Sequence, residues 1–125
     1  SAITLAIHRD ERIVRAVIST RHPDRAGDIV IPKGLQNRSE YLKNPVVLWA
    51  HQRTLPPIGT CVSLEVTEHE IIAETKFAET PFAQELFELY SQGVLRAWSM
   101  GFRPLKAIPL PEQGSRFYEW ELLEY

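Results

Sequence analysis

Apolar and polar positions alternate or cluster along this chain in short runs, and the runs predict strands more often than helices. Arg12 to Thr20 is rich in Val and Ile and ends in the turn formers Arg21-His22-Pro23-Asp24-Arg25-Ala26-Gly27-Asp28, the pattern of a strand entering a loop. A short extended piece follows at Ile29 to Ile31. Leu35 to Lys43 carries sparse apolar positions and stops before Asn44-Pro45, where proline disfavours helix at the residue before it, so a short helix is expected there. Val46 to Trp49 reads as a buried strand, and Ile58 to Val66 and Ile71 to Phe77 as a hairpin turning at Thr67-Glu68-His69-Glu70. Pro81 to Gln92 is the clearest helix. Thr80 caps it, Pro81 suits its first turn, Gly93 ends it, and Phe82, Leu86 and Leu89 share a face. Val94 to Phe102 and Phe117 to Tyr125 are expected as strands on either side of a loop from Pro104 to Gly114.

Roughly six or seven strands against two helices, with little βα alternation, predict an α+β domain on a mostly antiparallel sheet or barrel. The 125 residues suit one domain, residues 1–125, that buries roughly two-thirds of its unfolded surface. Ser1-Ala2 carries no chemistry and reads as a tag scar. With 44% apolar and 24% charged residues, the balance is that of a folding domain and not of a disordered segment.

Charge narrows the partners. Fourteen basic against sixteen acidic residues leave a net charge of -2, which gives no basic field for a phosphate backbone, so nucleic acid is not an expected partner. The longest apolar run, Val46 to Ala50, is far short of the roughly 20 residues that span a bilayer, and no signal pattern opens the chain. A soluble protein without a membrane partner is expected. Cys61 is the single cysteine, which suits a reducing compartment and excludes both an internal disulfide and a cysteine-based zinc site. Phosphate-loop, dinucleotide, HExxH and SxxK patterns are absent, so no cofactor or metal is expected.

Chemistry concentrates at three places. In Ala97-Trp98-Ser99-Met100-Gly101 a serine stands among small neighbours, and alternation puts Ala97, Ser99 and Gly101 on one face with Arg96, Trp98, Met100 and Phe102 on the other. Ser99 therefore reads as a nucleophile at a cleft, or as a hydrogen-bonded strand serine. Arg103-Pro104 follows where the helix of a nucleophile elbow would start, which disfavours an α/β-hydrolase. A serine nucleophile needs a base. His51, delivered by the apolar run Val46 to Ala50 to the edge of a turn-rich loop, Gln52 to Gly59, is the best candidate, with a structural strand-end histidine as the alternative. His8 and His69 read as solvated, and His22 with Asp24 and Asp28 as a turn, since one imidazole among arginines makes a poor metal site. The last strand supplies an orienting acid. Glu119 and Glu121 fall on one face and Tyr118, Trp120, Leu122 and Glu124 on the other, so Glu124 is the acid on the apolar face, where it needs a partner such as His51. Trp49 and Trp98 are candidates for a substrate groove, with core packing the alternative.

The order of motifs resembles the prohead maturation proteases of tailed phages. The resemblance is carried by Asp24-Arg25-Ala26-Gly27-Asp28, Pro32-Lys33-Gly34, Tyr41 to His51, Pro57-Ile58-Gly59, Lys76-Phe77-Ala78, Gly93 to Pro104 and Glu121 to Tyr125, spanning about residues 12 to 125. It implies a serine endopeptidase with a small β-barrel flanked by helices, akin to herpesvirus assembly proteases. Such an enzyme sits inside the procapsid in the host bacterial cytoplasm and cleaves scaffold or major capsid protein, and often itself. The resemblance implies Ser99 as nucleophile, His51 as general base and Glu124 as the third member, with Glu121 in reserve. Backbone amides near Gly101 to Arg103 are candidate oxyanion donors, unassigned to particular residues. The chain stops at Tyr125, where the family continues, which suggests a trimmed or self-processed form. Dimerisation activates the herpesvirus relatives, so a homo-oligomer is among the expected states. The competing function is a non-catalytic capsid-assembly or scaffold-binding module on a protease-like fold.

Overall fold

A computed structural model describes residues 2–125. Its strands are Thr4–His8 (β1), Ile13–Thr20 (β2), Ile29–Val30 (β3), Val46–Val47 (β4), Gly59–Val66 (β5), Glu70–Phe77 (β6), Gly101–Pro109 (β7) and Ser115–Glu124 (β8). Two helices, Arg38–Lys43 (α1) and Pro81–Ser91 (α2), join them, with a 3₁₀ turn at Pro32–Gly34. The strands form a five-stranded sheet in the order β1-β2-β6-β5-β4 and a three-stranded sheet in the order β3-β8-β7. All pairs are antiparallel except β3 with β8.

A mixed, sheet-rich domain with two helices is therefore present, but no closed barrel forms among the described residues. The two sheets instead meet at two seams. At one, the Leu48 amide donates to the Tyr125 carbonyl at 2.8 Å, tying the end of β8 to the residue after β4. At the other, Ile3 bridges Ala97 and the Thr4 amide donates to the Arg96 carbonyl at 3.0 Å, tying the approach to β7 to the start of β1.

The β5–β6 hairpin forms as its pattern predicts, closed by the Thr67 amide on the Glu70 carbonyl at 2.9 Å. In β2, Val17 and Ile18 are both buried because the register slips between Val17 and Ser19, a bulge that simple alternation does not anticipate. Helix α2 starts as expected, with Thr80 Oγ1 accepting from the Ala83 amide at 3.3 Å, and ends at Gly93, whose φ of 77° reverses the chain. Its buried face is a correction. Ala83, Leu86, Phe87 and Tyr90 point inward, while Phe82 is exposed and lies edge-on to Trp49.

Other elements also differ from expectation. β1 has no counterpart in the sequence reading, because its alternation dissolves into the charged run from His8 to Arg12. α1 is shorter than Leu35 to Lys43, since the 3₁₀ turn and Asn37 precede it. Val94 to Met100 is irregular apart from the Ala97 bridge, and β7 instead runs through the expected loop as far as Pro109. Pro104 and Pro109 are tolerated there because β7 is an edge strand and the ladder slips beside Pro104. Tyr118 is 40% exposed, although Trp120, Leu122 and Glu124 on its face are buried. The core is one cluster, with Phe77 at a junction of Phe87, Tyr90 and Trp98.

Candidate active site

The first seam positions His51. Strand β4 is short because Asn44-Pro45 precedes it and the chain turns sharply after Trp49. Ala50 and His51 adopt left-handed backbone, with φ of 49° and 57°, and the Gln52 amide closes the turn on the Trp49 carbonyl at 2.9 Å. Such conformations cost about 1–3 kcal/mol each in residues other than glycine, and they persist where surrounding structure over-determines them. Here the fixing contacts are the Leu48–Tyr125 bond and the imidazole's own partner.

That partner is Glu124. His51 Nδ1 lies 2.8 Å from Glu124 Oε1 and 2.9 Å from Oε2, and the carboxylate is 2% exposed whereas the imidazole is 42% exposed. The acid is thus sealed while the base reaches the cavity. A buried carboxylate is costly without partners, and Arg53 supplies a second one, with Nη2 3.4 Å from Glu124 Oε2. With Nδ1–H donating to the carboxylate, Nε2 is the basic nitrogen of the ring.

Gly101 makes room for this pair. It faces Glu124 across the β7–β8 ladder, and a Cβ at this position would stand 2.1 Å from Glu124 Oε2 and 3.2 Å from Arg53 Nη2. No side chain fits. Nearby phenols stay neutral: burial pushes Tyr41 and Tyr125 well above the ordinary phenol range, with the Glu124 charge adding a smaller push at Tyr41. Tyr41 donates to the Val46 carbonyl at 2.9 Å and so holds β4, and the Tyr125 hydroxyl meets Thr75 Oγ1 at 2.7 Å.

The second seam positions Ser99. Tyr90 donates to the Ala97 carbonyl at 2.9 Å, Trp98 Nε1 donates to Thr4 Oγ1 at 3.0 Å, and Trp98 stacks on Tyr90. Burial pushes the Tyr90 hydroxyl up to about 12, so it remains a donor through neutral and moderately alkaline pH. Trp98, Met100 and Phe102 pack on the core while Ser99 is exposed, as alternation predicts, even though the segment is not a regular strand. Ser99 and His51 line the same pocket of about 200 Å³. Among the described residues, the hydrogen bonds of the imidazole go to Glu124.

The structure brings Ser99, His51 and Glu124 to one place and sets the other candidates apart. Glu121 faces the opposite side of β8 and pairs with Arg103. His22 lies in an exposed turn where Asp24 accepts from the Ala26 and Asp28 amides and Asp28 accepts from Ser115, so these carboxylates are spent on the backbone. No metal-binding cluster of histidine, cysteine and acidic side chains occurs among the described residues. Cys61 is buried, with its thiol pushed up by desolvation and directed at the Ser63 carbonyl. Trp49 and Trp98 are half-buried against the core and also line the pocket. Arg53 and the close approach at Gly101 were not visible in the sequence. Arg53 is one of several basic residues in loops, and Gly101 gains meaning only once the β7–β8 register is known.

Residues 15–124 match the sequence profile of the caudovirus prohead serine proteases. The chain belongs to that family. It is 38% identical over 98 residues to the prohead protease of Escherichia phage T5, a match covering 75% of this chain and 45% of that protein. It is also 30% identical over 128 residues to the capsid polyprotein of Pseudomonas phage PAJU2, covering 95% of this chain and 18% of the polyprotein. The chain thus spans less than half the length of either curated relative. No solved structure matches it. No helix among the described residues is long and apolar enough to cross a membrane.

Proposed function

We propose that this chain is the peptidase domain of a serine endopeptidase that cleaves capsid or scaffold protein, and itself, inside the assembling phage head in the bacterial cytoplasm. One observation carries the reading above all: a buried carboxylate, Glu124, grips Nδ1 of an imidazole that shares a pocket with an exposed serine.

In the proposed reaction, Ser99 Oγ attacks the scissile carbonyl carbon while its proton passes to His51 Nε2. The tetrahedral intermediate collapses, the C–N bond breaks, and Nε2–H gives its proton to the departing amine. Water then attacks the acyl ester by the same route and restores the hydroxyl. Glu124 keeps the tautomer correct and offsets the positive charge on the imidazolium. No metal or cofactor takes part. The kinship in fold with herpesvirus assembly proteases belongs to the same proposal.

One observation favours a second reading, a non-catalytic capsid-assembly or scaffold-binding module: the imidazole is bonded to the acid and not to the serine hydroxyl. In resting enzymes that bond is often long and tightens only with substrate. Incubation with the phage's own capsid and scaffold proteins separates the two. Cleavage by the wild type that is lost in Ser99→Ala and His51→Ala, and slowed less in Glu124→Gln, supports the peptidase. Binding without cleavage by the wild type, or full cleavage by folded Ser99→Ala, rules it out.

A further inference from the structure

Ser99 stands on a wall shared by two cavities of different chemistry. The larger, about 690 Å³, runs toward the loop after β2, and its lining includes Ile18, Met100 and Phe102 together with His22, Asp24 and Arg25. The smaller, about 200 Å³, lies on the His51 side and is walled by Trp49, Ile58, Tyr90, Ala97, Trp98 and Tyr125. Pockets that enclose a whole small ligand measure roughly 300–1,000 Å³. The larger cavity falls in that range, whereas the smaller one suits a single side chain.

Apart from Ser99 and His51, the side chains walling the small cavity carry no charge. Its two phenols are neutral, and their hydroxyls are already committed, Tyr90 to the Ala97 carbonyl and Tyr125 to Thr75. A charged side chain entering there would lose its water and find no partner on the aromatic and aliphatic walls, while an apolar one would exchange water for them. The larger cavity, rimmed by charged groups, imposes no such restriction.

We propose that the small cavity is the subsite for one apolar side chain flanking the bond to be cleaved, and that the larger cavity receives the extended, mixed-polarity chain on the other side of Ser99. The substrate class is then a peptide anchored by a medium-sized or large apolar residue next to the scissile bond. This assignment rests on Ser99 as the nucleophile. Ala97 is its specificity-determining residue, because it lines the cavity and a longer side chain there would take up its volume.

Trp49 and Trp98 both line the cavity, so occupancy is read from tryptophan fluorescence without any cleavage. The probes are acetyl-Ala-Ala-X-Ala-Ala-amide peptides, with X as Leu, Phe, Ala, Asp or Lys, titrated into the Ser99→Ala protein. Leu and Phe peptides are expected to bind at least about tenfold tighter than Asp and Lys peptides, a modest demand on a hydrophobic pocket. Adding Ala97→Leu is expected to shrink that advantage below about threefold and leave the Ala peptide unchanged, which also reports an intact fold. No binding, equal binding of all five, or a preference that survives Ala97→Leu overturns the proposal. Parallel incubation of the wild type with the Leu and Phe peptides keeps the two claims apart. Preference without cleavage keeps the cavity's selectivity for an apolar side chain but removes its place beside a scissile bond, whereas cleavage without preference keeps the peptidase and removes the subsite.

Discussion

Strands β2, β6 and β5 are held by antiparallel ladders of seven paired positions each, interrupted by one bulge apiece, whereas among the described residues the backbones of the two sheets are tied at Leu48–Tyr125 on one side and at Thr4–Arg96 with the Ile3–Ala97 bridge on the other. The ladders carry the apolar core; the seams carry the chemistry. His51 follows Leu48 by three residues, Glu124 precedes Tyr125, and Ser99 follows Ala97 by two. The physical reason is backbone freedom. A residue inside a ladder has its φ and ψ fixed by pairing on both sides, whereas at a seam Ala50 and His51 turn left-handed and Ser99 leaves the sheet face. Stability and reactivity are therefore expected to respond to different residues.

Breaking a ladder residue gives the largest effect, and on stability. Phe77 is 1% exposed and touches Phe87, Tyr90 and Trp98, so Phe77→Ala is expected to cost about 3–5 kcal/mol in urea unfolding. A loss below about 1 kcal/mol would mean that the core does not turn on this junction. Gly101→Ala should strike the seam instead. Its new methyl group forces the Glu124 carboxylate off His51, and a displacement of this kind is expected to lower kcat about 100-fold, far more than it lowers the unfolding midpoint. An unchanged kcat would show that the carboxylate's position is immaterial.

Tyr90 links the two regions. Its folded-state value of about 12 lies above the ordinary phenol value of 10.0, so its contribution is complete below about pH 10 and is lost as pH rises toward 12, when the unfolded chain ionises first. Thermal melts between pH 9 and 11 should fall less steeply for Tyr90→Phe than for the wild type. Parallel slopes would place the alkaline sensitivity in the other buried phenols. The smallest effect is expected at the far end of the β7–β8 hairpin. Ile108 is 53% exposed, and Ile108→Ser should change stability by no more than about 0.5 kcal/mol and leave kcat alone.

The sequence disclosed the ladders and the three candidate residues more readily than the seams. Apolar runs bounded by turn formers locate β2, β5 and β6, and Thr80, Pro81 and Gly93 bracket α2 by local stereochemistry alone. Two edge strands, β1 and β7, escaped that pattern. β1 borders charge, and β7 carries two prolines that read as a loop until an unpaired edge accommodates them. Glu124 was legible as an acid on an apolar face, and His51 as an imidazole at a strand end. Arg53, the two left-handed residues and the clearance at Gly101 were not, because they depend on which strand ends meet in space. The barrel expected from the resemblance gives way to two sheets for the same reason: closure depends on long-range pairing at strand ends.

The central claim is that the seams assemble an activated serine. Intact-mass measurement after exposure to a fluorophosphonate tests it directly, with the wild type, Ser99→Ala and His51→Ala treated identically and circular dichroism confirming that all three are folded. One adduct on the wild type, absent from both variants, is the expected result. A folded wild type that stays unlabelled, or an equal adduct on Ser99→Ala, would contradict it.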